Sequence, residues 1–312
     1  MKPHLISVHT LLDKQVAELA ALFTVHDLPF DAAKKPVTAP WAGEVRFLQT
    51  SGAVGGNREF LASLPKLEIV GCYGVGVDSV DVAHCKERGI PVTNTPDVLN
   101  DEVADLAIAL MLMTARQLGL SERWVRDGRW VSKGNQALAT RMSGKKLGLL
   151  GFGRIGKVIA RRAAAFDMDV SYHTRNRQDV PQRHYADLAQ MARDVDFLVA
   201  IVPGGPATKG LVSAAVLDAL GPEGMFINVA RGTVADEPAL VRALVEKRIA
   251  GAGLDVFVDE PNVPKELLGL DNVVLLPHVG SSTVETRGAM ADLTVANLTA
   301  HLAGKPLLTR VA

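Results

Sequence analysis

The sequence predicts an α/β protein built from two doubly wound parallel-sheet domains. Three observations predict it. Short apolar β-type runs alternate with helical patterns nearly from end to end, the rhythm of strands joined by helical crossovers. The chain has 312 residues, longer than the roughly 250 at which a single core usually stops growing. The rhythm breaks once, at the Thr95-Pro96-Asp97 turn, where a long apolar helical stretch follows.

The first hundred residues read as strands at Leu5–His9, Glu44–Gln49, Leu67–Cys72 and Ile90–Asn94. Helical patterns fall at Asp13–Phe23, Asn57–Leu64 and Val80–Arg88, the last closed by Gly89, a natural C-cap. Asn100 or Asp101 can cap a helix running to about Leu120. A polar, Gly-containing stretch, Ser121–Ser143, follows. A second series begins at Lys145, with strands Lys146–Leu150, Asp169–His173, Asp196–Val202, Met225–Val229, Ala250–Val256 and Val273–Leu276. A final helix, about Val284–Leu302, stops at Gly304 and Pro306. Periodicity alone does not say which domain that helix joins.

Composition narrows the function classes. Thirty-four Lys and Arg balance thirty-four Asp and Glu, so the basic excess expected of a nucleic-acid binder is missing. The longest charge-free apolar stretch in a helical pattern, Leu106–Ala115, is too short to span a bilayer. Asp13 and Lys14 interrupt any signal-peptide core after Leu5–Val8. Cys72 and Cys85 have no metal-type spacing and form no disulfide framework, so a cytoplasmic protein without a metal is expected.

Gly151-Phe-Gly153-Arg-Ile-Gly156 follows the strand ending at Leu150 and opens a helix to about Phe166. A glycine-rich turn alone is a weak signal; between strand and helix it is the fingerprint of a Rossmann-type dinucleotide-binding domain. Gly151 permits the tight turn, Gly153 lets backbone approach a pyrophosphate, and Gly156 lets helix and strand pack closely. An NAD site would place an acid ~20 residues on, at the end of the next strand, for the ribose 2′-hydroxyl. This chain has Tyr172-His173-Thr174-Arg175-Asn176-Arg177, with no acid until Asp179. Thr174 can donate a hydrogen bond and Arg175 a charge-assisted pair to a 2′-phosphate, so NADP(H) is expected over NAD(H).

In an open α/β sheet, ligands bind outside the carboxyl ends of the strands. The second-series strands end at Gly151, Thr174–Arg175, Pro203, Ala230–Arg231, Asp255 and His278, so Arg231, Asp255 and His278 are expected to share one rim. Arg231 can clamp a carboxylate and polarise a carbonyl. His278 can serve as a general acid–base, and Glu260 could orient it and favour imidazolium, with Asp259 the rival carboxylate. His84, His173, His184 and His301 show no such partner in the sequence and read as structural.

In order along the chain these motifs resemble the D-isomer-specific 2-hydroxyacid dehydrogenases, over most of its length. The resemblance rests on Gly71-Cys-Tyr-Gly74-Val75-Gly76-Val77-Asp78, the Thr95–Ala107 segment, Gly151–Gly156 and Asn228–Arg231 running on to Glu237. It is completed by Gly253-Leu-Asp255, Glu260-Pro261 and Pro277-His278-Val-Gly280. The chain is most similar to the glyoxylate/hydroxypyruvate and hydroxyphenylpyruvate reductase branch, which usually lacks the acidic NAD residue. The resemblance implies NADPH-dependent reduction of a small 2-oxo acid to a 2-hydroxy acid. Arg231 would bind the substrate, His278 would donate the proton and Glu260 would pair with His278. Val75 and Gly76 would hold the carboxylate through their N–H groups. Cofactor contacts are implied for Gly151, Gly153, Arg154, Ile155, Gly156, Thr174, Arg175, Val202, Pro203, Thr208, Ala230, Asp255, His278 and Gly280. It further implies a smaller flavodoxin-like substrate domain, residues 1–98 and 286–312, and an NADP-binding domain, 99–285. A homodimer is implied too, with Trp130 reaching the partner's site.

Departures from the family pattern are Ala235 for the more usual Asp or Asn, Ser282 for Ala, and Gly204-Gly205 after Pro203. Two alternatives stand beside the reductase: an NAD-dependent dehydrogenase of another branch, phosphoglycerate-like, and a non-catalytic nucleotide-sensing protein like the corepressors of this fold.

Overall fold

The structure, a computed structural model, describes residues 1–9 and 11–312. The chain forms two compact units, Met1–Leu99 with Ser281–Ala312, and Asn100–Gly280. The divisions thus fall after Leu99 and Gly280, where the sequence reading placed them after residues 98 and 285.

The first unit contains β1 (His4–Ser7), α1 (Asp13–Leu22), β2 (Thr24–Asp27), β3 (Val45–Ser51), α2 (Arg58–Ala62), β4 (Ile69–Tyr73), α3 (Val82–Glu87) and β5 (Val92–Thr93). Its strands pair in parallel in the order β2-β1-β3-β4-β5, the flavodoxin order, whose switch point lies between β1 and β3. β4 is buried along its whole length, as a central parallel strand covered on both faces must be. One face is filled by Leu48, Phe60, Leu61, Leu64 and Val70, all fully buried. β2 is absent from the sequence reading. It pairs on one side only and its end residues are exposed, so no apolar run announces it. α3 starts at Val82 rather than Val80, because the Asp81 side chain caps it by accepting the His84 N–H at 2.8 Å.

The second unit opens with α4 (Asn100–Ala115). The expected helix to about Leu120 stops five residues early. Gln117 takes a left-handed φ of 51°, and the chain turns by 63° into α5 (Leu118–Arg126). α6 (Arg129–Lys133) then lies within the polar, Gly-containing stretch Ser121–Ser143. The βα series runs β6 (Lys146–Leu150), α7 (Arg154–Ala164), β7 (Asp169–His173), β8 (Arg183–Tyr185), α8 (Leu188–Asp194), β9 (Phe197–Ala200) and α9 (Ala214–Leu220). It continues through β10 (Met225–Asn228), α10 (Glu237–Val245), β11 (Gly251–Leu254), α11 (Lys265–Leu268) and β12 (Val273–Leu275). The parallel sheet has the order β12-β11-β10-β9-β6-β7-β8, reversing direction between β6 and β9 as a dinucleotide-binding sheet does. β8, a three-residue edge strand paired only with β7, is also absent from the sequence reading.

α4 packs against α7, β10 and β11. Ala104 and Ala107 of α4 and Ala160 and Ala163 of α7 are buried, and such small side chains permit close approach of the axes. Arg162 of α7 reaches Asp101 at 2.9 Å and also pairs with Asp105. Finally α12 (Val284–Leu302), capped by the Thr283 hydroxyl, belongs to the first unit and packs on β4 and α1. Gly71 of β4 leaves room for it, since a Cβ there would lie 3.0 Å from Leu298.

Two of the four histidines read as having no carboxylate partner, His84 and His301, need correction. His84 lies 3.6 Å from Glu87 and His301 3.5 Å from Glu68, so both have carboxylate neighbours one helical turn or a strand away. His173 and His184, in β7 and β8, bond the Tyr185 and Thr174 carbonyls. Among the described residues no single helix is long and apolar enough to cross a membrane.

Candidate active site

All pairings in the larger sheet are parallel, so its carboxyl ends lie along one edge. Gly151, Thr174, Pro203, Arg231, Asp255 and His278 each follow within three residues of such an end.

The glycine-rich turn shows why each glycine is needed. Gly151 has φ 106°, and a Cβ there would stand 2.6 Å from the Ile201 carbonyl oxygen. A Cβ on Gly156 would stand 2.6 Å from the Gly151 carbonyl, which brings the first turn of α7 onto the loop. Around Gly153, the N-cap, nothing lies within 4 Å of the Cβ position, and no side chain caps the helix. An open space facing uncapped N–H groups at the positive end of a helix dipole fits a pyrophosphate. At the end of β7, the Thr174 hydroxyl donates to the Asn176 carbonyl at 2.7 Å. That bond stiffens the loop and uses the donor expected to face a phosphate. Arg175 is exposed and has no hydrogen-bond or acidic partner among the described residues. In the loop after β9, the Thr208 hydroxyl donates to the Pro203 carbonyl at 2.6 Å, closing the segment that begins at Val202.

Arg231, Glu260, His278 and Asp255 form one charged cluster. Asn228 shapes the turn that presents Arg231: its amide donates to the Arg231 carbonyl at 3.0 Å and accepts from Ala230 N–H at 3.1 Å. The Arg231 guanidinium donates to the Ala230 carbonyl at 2.7 Å. Gly232 lets this turn lie directly on the Phe257–Val258 backbone, where a Cβ would stand 2.0 Å from the Phe257 carbonyl carbon. Three residues further, Glu260 accepts the Phe257 N–H at 3.0 Å through Oε1 and pairs with His278 Nδ1 at 2.7 Å through Oε2. Asp259 instead bonds Asn262, which decides between the two carboxylates. The His278 and Glu260 side chains are 39% and 30% exposed, so the pair is reachable from solvent.

Asp255, 2% exposed, accepts N–H groups from Val279 at 2.7 Å and Gly280 at 2.9 Å. It therefore ties the end of β11 to the loop that carries His278, an anchoring role that no local sequence signal shows. The anchor holds His278 at φ 53°, a left-handed conformation that costs a non-glycine residue about 1–3 kcal/mol. Burial raises the Asp255 pKa, and the two N–H bonds and the nearby His278 only partly offset it.

For Glu260, burial also opposes ionisation. The bonds from His278 and Phe257 and the charges of His278 and Arg231 outweigh it, so its pKa lies below the ordinary 4.5. A depressed carboxylate pKa adds stability that is present above 4.5 and lost as pH falls through the folded value, because the unfolded chain binds the proton first. The stability difference between the native protein and Glu260→Gln, from urea titrations, should therefore shrink as pH is lowered below 4.5. A gap that stays constant there would show that Glu260 is not held ionised by this cluster.

In the first unit, Val75 and Gly76 follow β4. Asn94 Nδ2 donates to the Val75 carbonyl at 2.9 Å, and the Cys72 thiol to the Gly76 carbonyl at 3.5 Å. The Val75 and Gly76 N–H groups have no acceptor among the described residues, so the loop offers two adjacent donors. A cleft of about 460 Å³ elsewhere, between α4–α5 and Leu267–Leu276, contains none of these residues.

A seven-stranded sheet of dinucleotide-binding order, with a glycine-rich turn and an Arg–Glu–His cluster along one edge, defines a nicotinamide-linked oxidoreductase. Residues 108–280 match the family model of the D-isomer specific 2-hydroxyacid dehydrogenase NAD binding domain, and the chain belongs to that family. It is 47% identical over 303 residues to a hydroxyphenylpyruvate reductase of Plectranthus scutellarioides, covering 97% of this chain and 96% of that one. A 2-ketogluconate reductase of Gluconobacter oxydans is 40% identical, with 99% of each chain covered. Among solved structures, an NADPH-dependent glyoxylate/hydroxypyruvate reductase of Sinorhizobium meliloti, in complex with NADP and malonate, superposes with a TM-score of 0.94. It is 45% identical and covers 100% of this chain and 97% of that chain.

Proposed function

We propose that this protein is an NADPH-dependent reductase of small 2-oxo acids, glyoxylate or hydroxypyruvate among them, to 2-hydroxy acids. The observation that carries the reading is the 2.7 Å pair between His278 Nδ1 and Glu260. With Nδ1–H held by the carboxylate, Nε2 is left as the position that exchanges a proton with substrate. The names of the relatives above support the substrate class.

NADP(H) would be held by the turn Gly151, Gly153, Arg154, Ile155 and Gly156, with Thr174 and Arg175 at the 2′-phosphate. Val202, Pro203, Thr208, Ala230, Asp255, His278 and Gly280 complete its surroundings. Once bound, the reduced nicotinamide supplies the hydride that C2 of the oxo acid accepts. Arg231 binds the substrate and stabilises the charge that develops on its carbonyl oxygen. His278, held as an imidazolium by Glu260, gives that oxygen its Nε2 proton and is left as the neutral imidazole. Val75 and Gly76 bind the substrate carboxylate through their N–H groups. In these roles the first unit is the substrate-binding domain and the second the nucleotide-binding domain. The protein acts as a homodimer: Val131 and Leu138 are almost wholly exposed and Trp130 is 59% exposed in the segment after α5, an apolar surface that a second copy would cover.

The direct test is loss of reduced-nicotinamide absorbance when glyoxylate or hydroxypyruvate is added with NADPH. A protein that turns over no 2-oxo acid would refute the reading. The cofactor choice is tested separately. In Arg175→Ala, loss of a charge-assisted bond should lower the ratio of kcat/KM with NADPH to that with NADH by about ten- to a hundredfold. An unchanged ratio would show that Arg175 does not read the 2′-phosphate.

A further inference from the structure

Three side chains at the carboxyl edge of the smaller sheet have no part in the reduction as assigned. His9 follows β1, Tyr73 ends β4, and Arg287 lies in the first turn of α12. The Tyr73 hydroxyl donates to the Arg287 carbonyl at 3.2 Å, and the guanidinium carbon lies 5.6 Å from the centre of the Tyr73 ring. His9 stacks on the same ring at 4.9 Å. The Val75 and Gly76 N–H donors begin two residues beyond that ring.

Half-buried arginines here differ in what satisfies them: Arg88 donates to three main-chain carbonyls, of Leu61, Leu64 and Pro65. Arg46 and Arg162 each bond a carboxylate. Arg287 is half-buried and has no carboxylate partner among the described residues. Its Nη2 donates instead to the neutral Ser282 hydroxyl at 2.9 Å. Burial, and then the Arg287 charge, push the His9 pKa down to about 4, so His9 brings no second cation to the cluster at neutral pH. A partly desolvated guanidinium without a counter-charge is costly unless something supplies an acceptor. Here it lies against the ring of Tyr73, two residues before the first of the donors assigned to the substrate carboxylate.

We infer that Arg287, held by Tyr73 and Ser282 at the end of the strand that leads to the Val75–Gly76 donors, binds the C3 substituent of the substrate and selects 2-oxo acids with an oxygen there, a hydroxyl or a second carboxylate. The inference rests on the reductase reading. Arg287 touches no reacting atom; it sets specificity, and Ser282 positions it.

Hydroxypyruvate and pyruvate differ only by the C3 oxygen, so the ratio of their kcat/KM values with NADPH isolates this contact. The unaltered protein should favour hydroxypyruvate by about ten- to a hundredfold, the usual effect of one hydrogen bond to a charged group. In Arg287→Leu the ratio should fall towards one, through a higher KM for hydroxypyruvate. Ser282→Ala, at an exposed position that leaves the fold intact, should lower it about two- to fivefold. Ratios unchanged in both variants, or an unaltered protein that does not distinguish the two acids, overturn the subsite while leaving the reductase reading in place. Failure to reduce any 2-oxo acid overturns both. If Arg287→Leu does not fold, the Ser282→Ala ratio decides.

Discussion

His278→Asn should lower kcat by about 10²–10⁴-fold, the range for removing a positioned proton donor. Asparagine suits this test because it tolerates the left-handed conformation of residue 278 better than most side chains. The loop would also keep its shape, since Asp255 holds it through the main-chain N–H groups of Val279 and Gly280 rather than through the imidazole. The loss should therefore appear in kcat with the melting temperature little changed. Single-turnover rates with saturating NADPH measure it. A variant with full activity would remove His278 from the chemistry.

Arg231→Ala should lower kcat by about 10²–10³-fold and raise KM for the oxo acid as well, because one guanidinium both binds the substrate and meets the charge of the transition state. The turn itself should survive, held by Asn228 on one side and packed through Gly232 on Phe257–Val258 on the other. The variant has a second signature. The Arg231 charge is one of the influences that lower the Glu260 pKa, so its removal should move any acid limb assigned to Glu260 to higher pH. An effect confined to NADPH affinity would contradict the assignment of Arg231 to the substrate.

Particular elements show what can be read without coordinates. β6, β7 and α12 have the limits the apolar pattern indicates, because each buries a long enough face for period to identify it. The edge strands β2 and β8 do not, since a strand paired on one side needs no apolar run. The end of α4 depends on one left-handed residue, Gln117, that no propensity singles out. Glu260 was one of two neighbouring carboxylates, and a 2.7 Å bond to a residue eighteen positions away distinguishes it from Asp259. The cluster of Tyr73 with Arg287 joins residues 214 positions apart, and nothing local marks either one.

The amino-acid sequence by itself determined the two parallel sheets, the glycine-rich turn and the placing of polar residues after successive strands. Those follow from local periodicity and from backbone conformations that only certain residues adopt. The tertiary structure alone decided which of those polar groups meet, which carboxylate takes the histidine and which ring Arg287 lies against. Such pairings depend on strand order and loop packing, which bring together groups from distant parts of the chain.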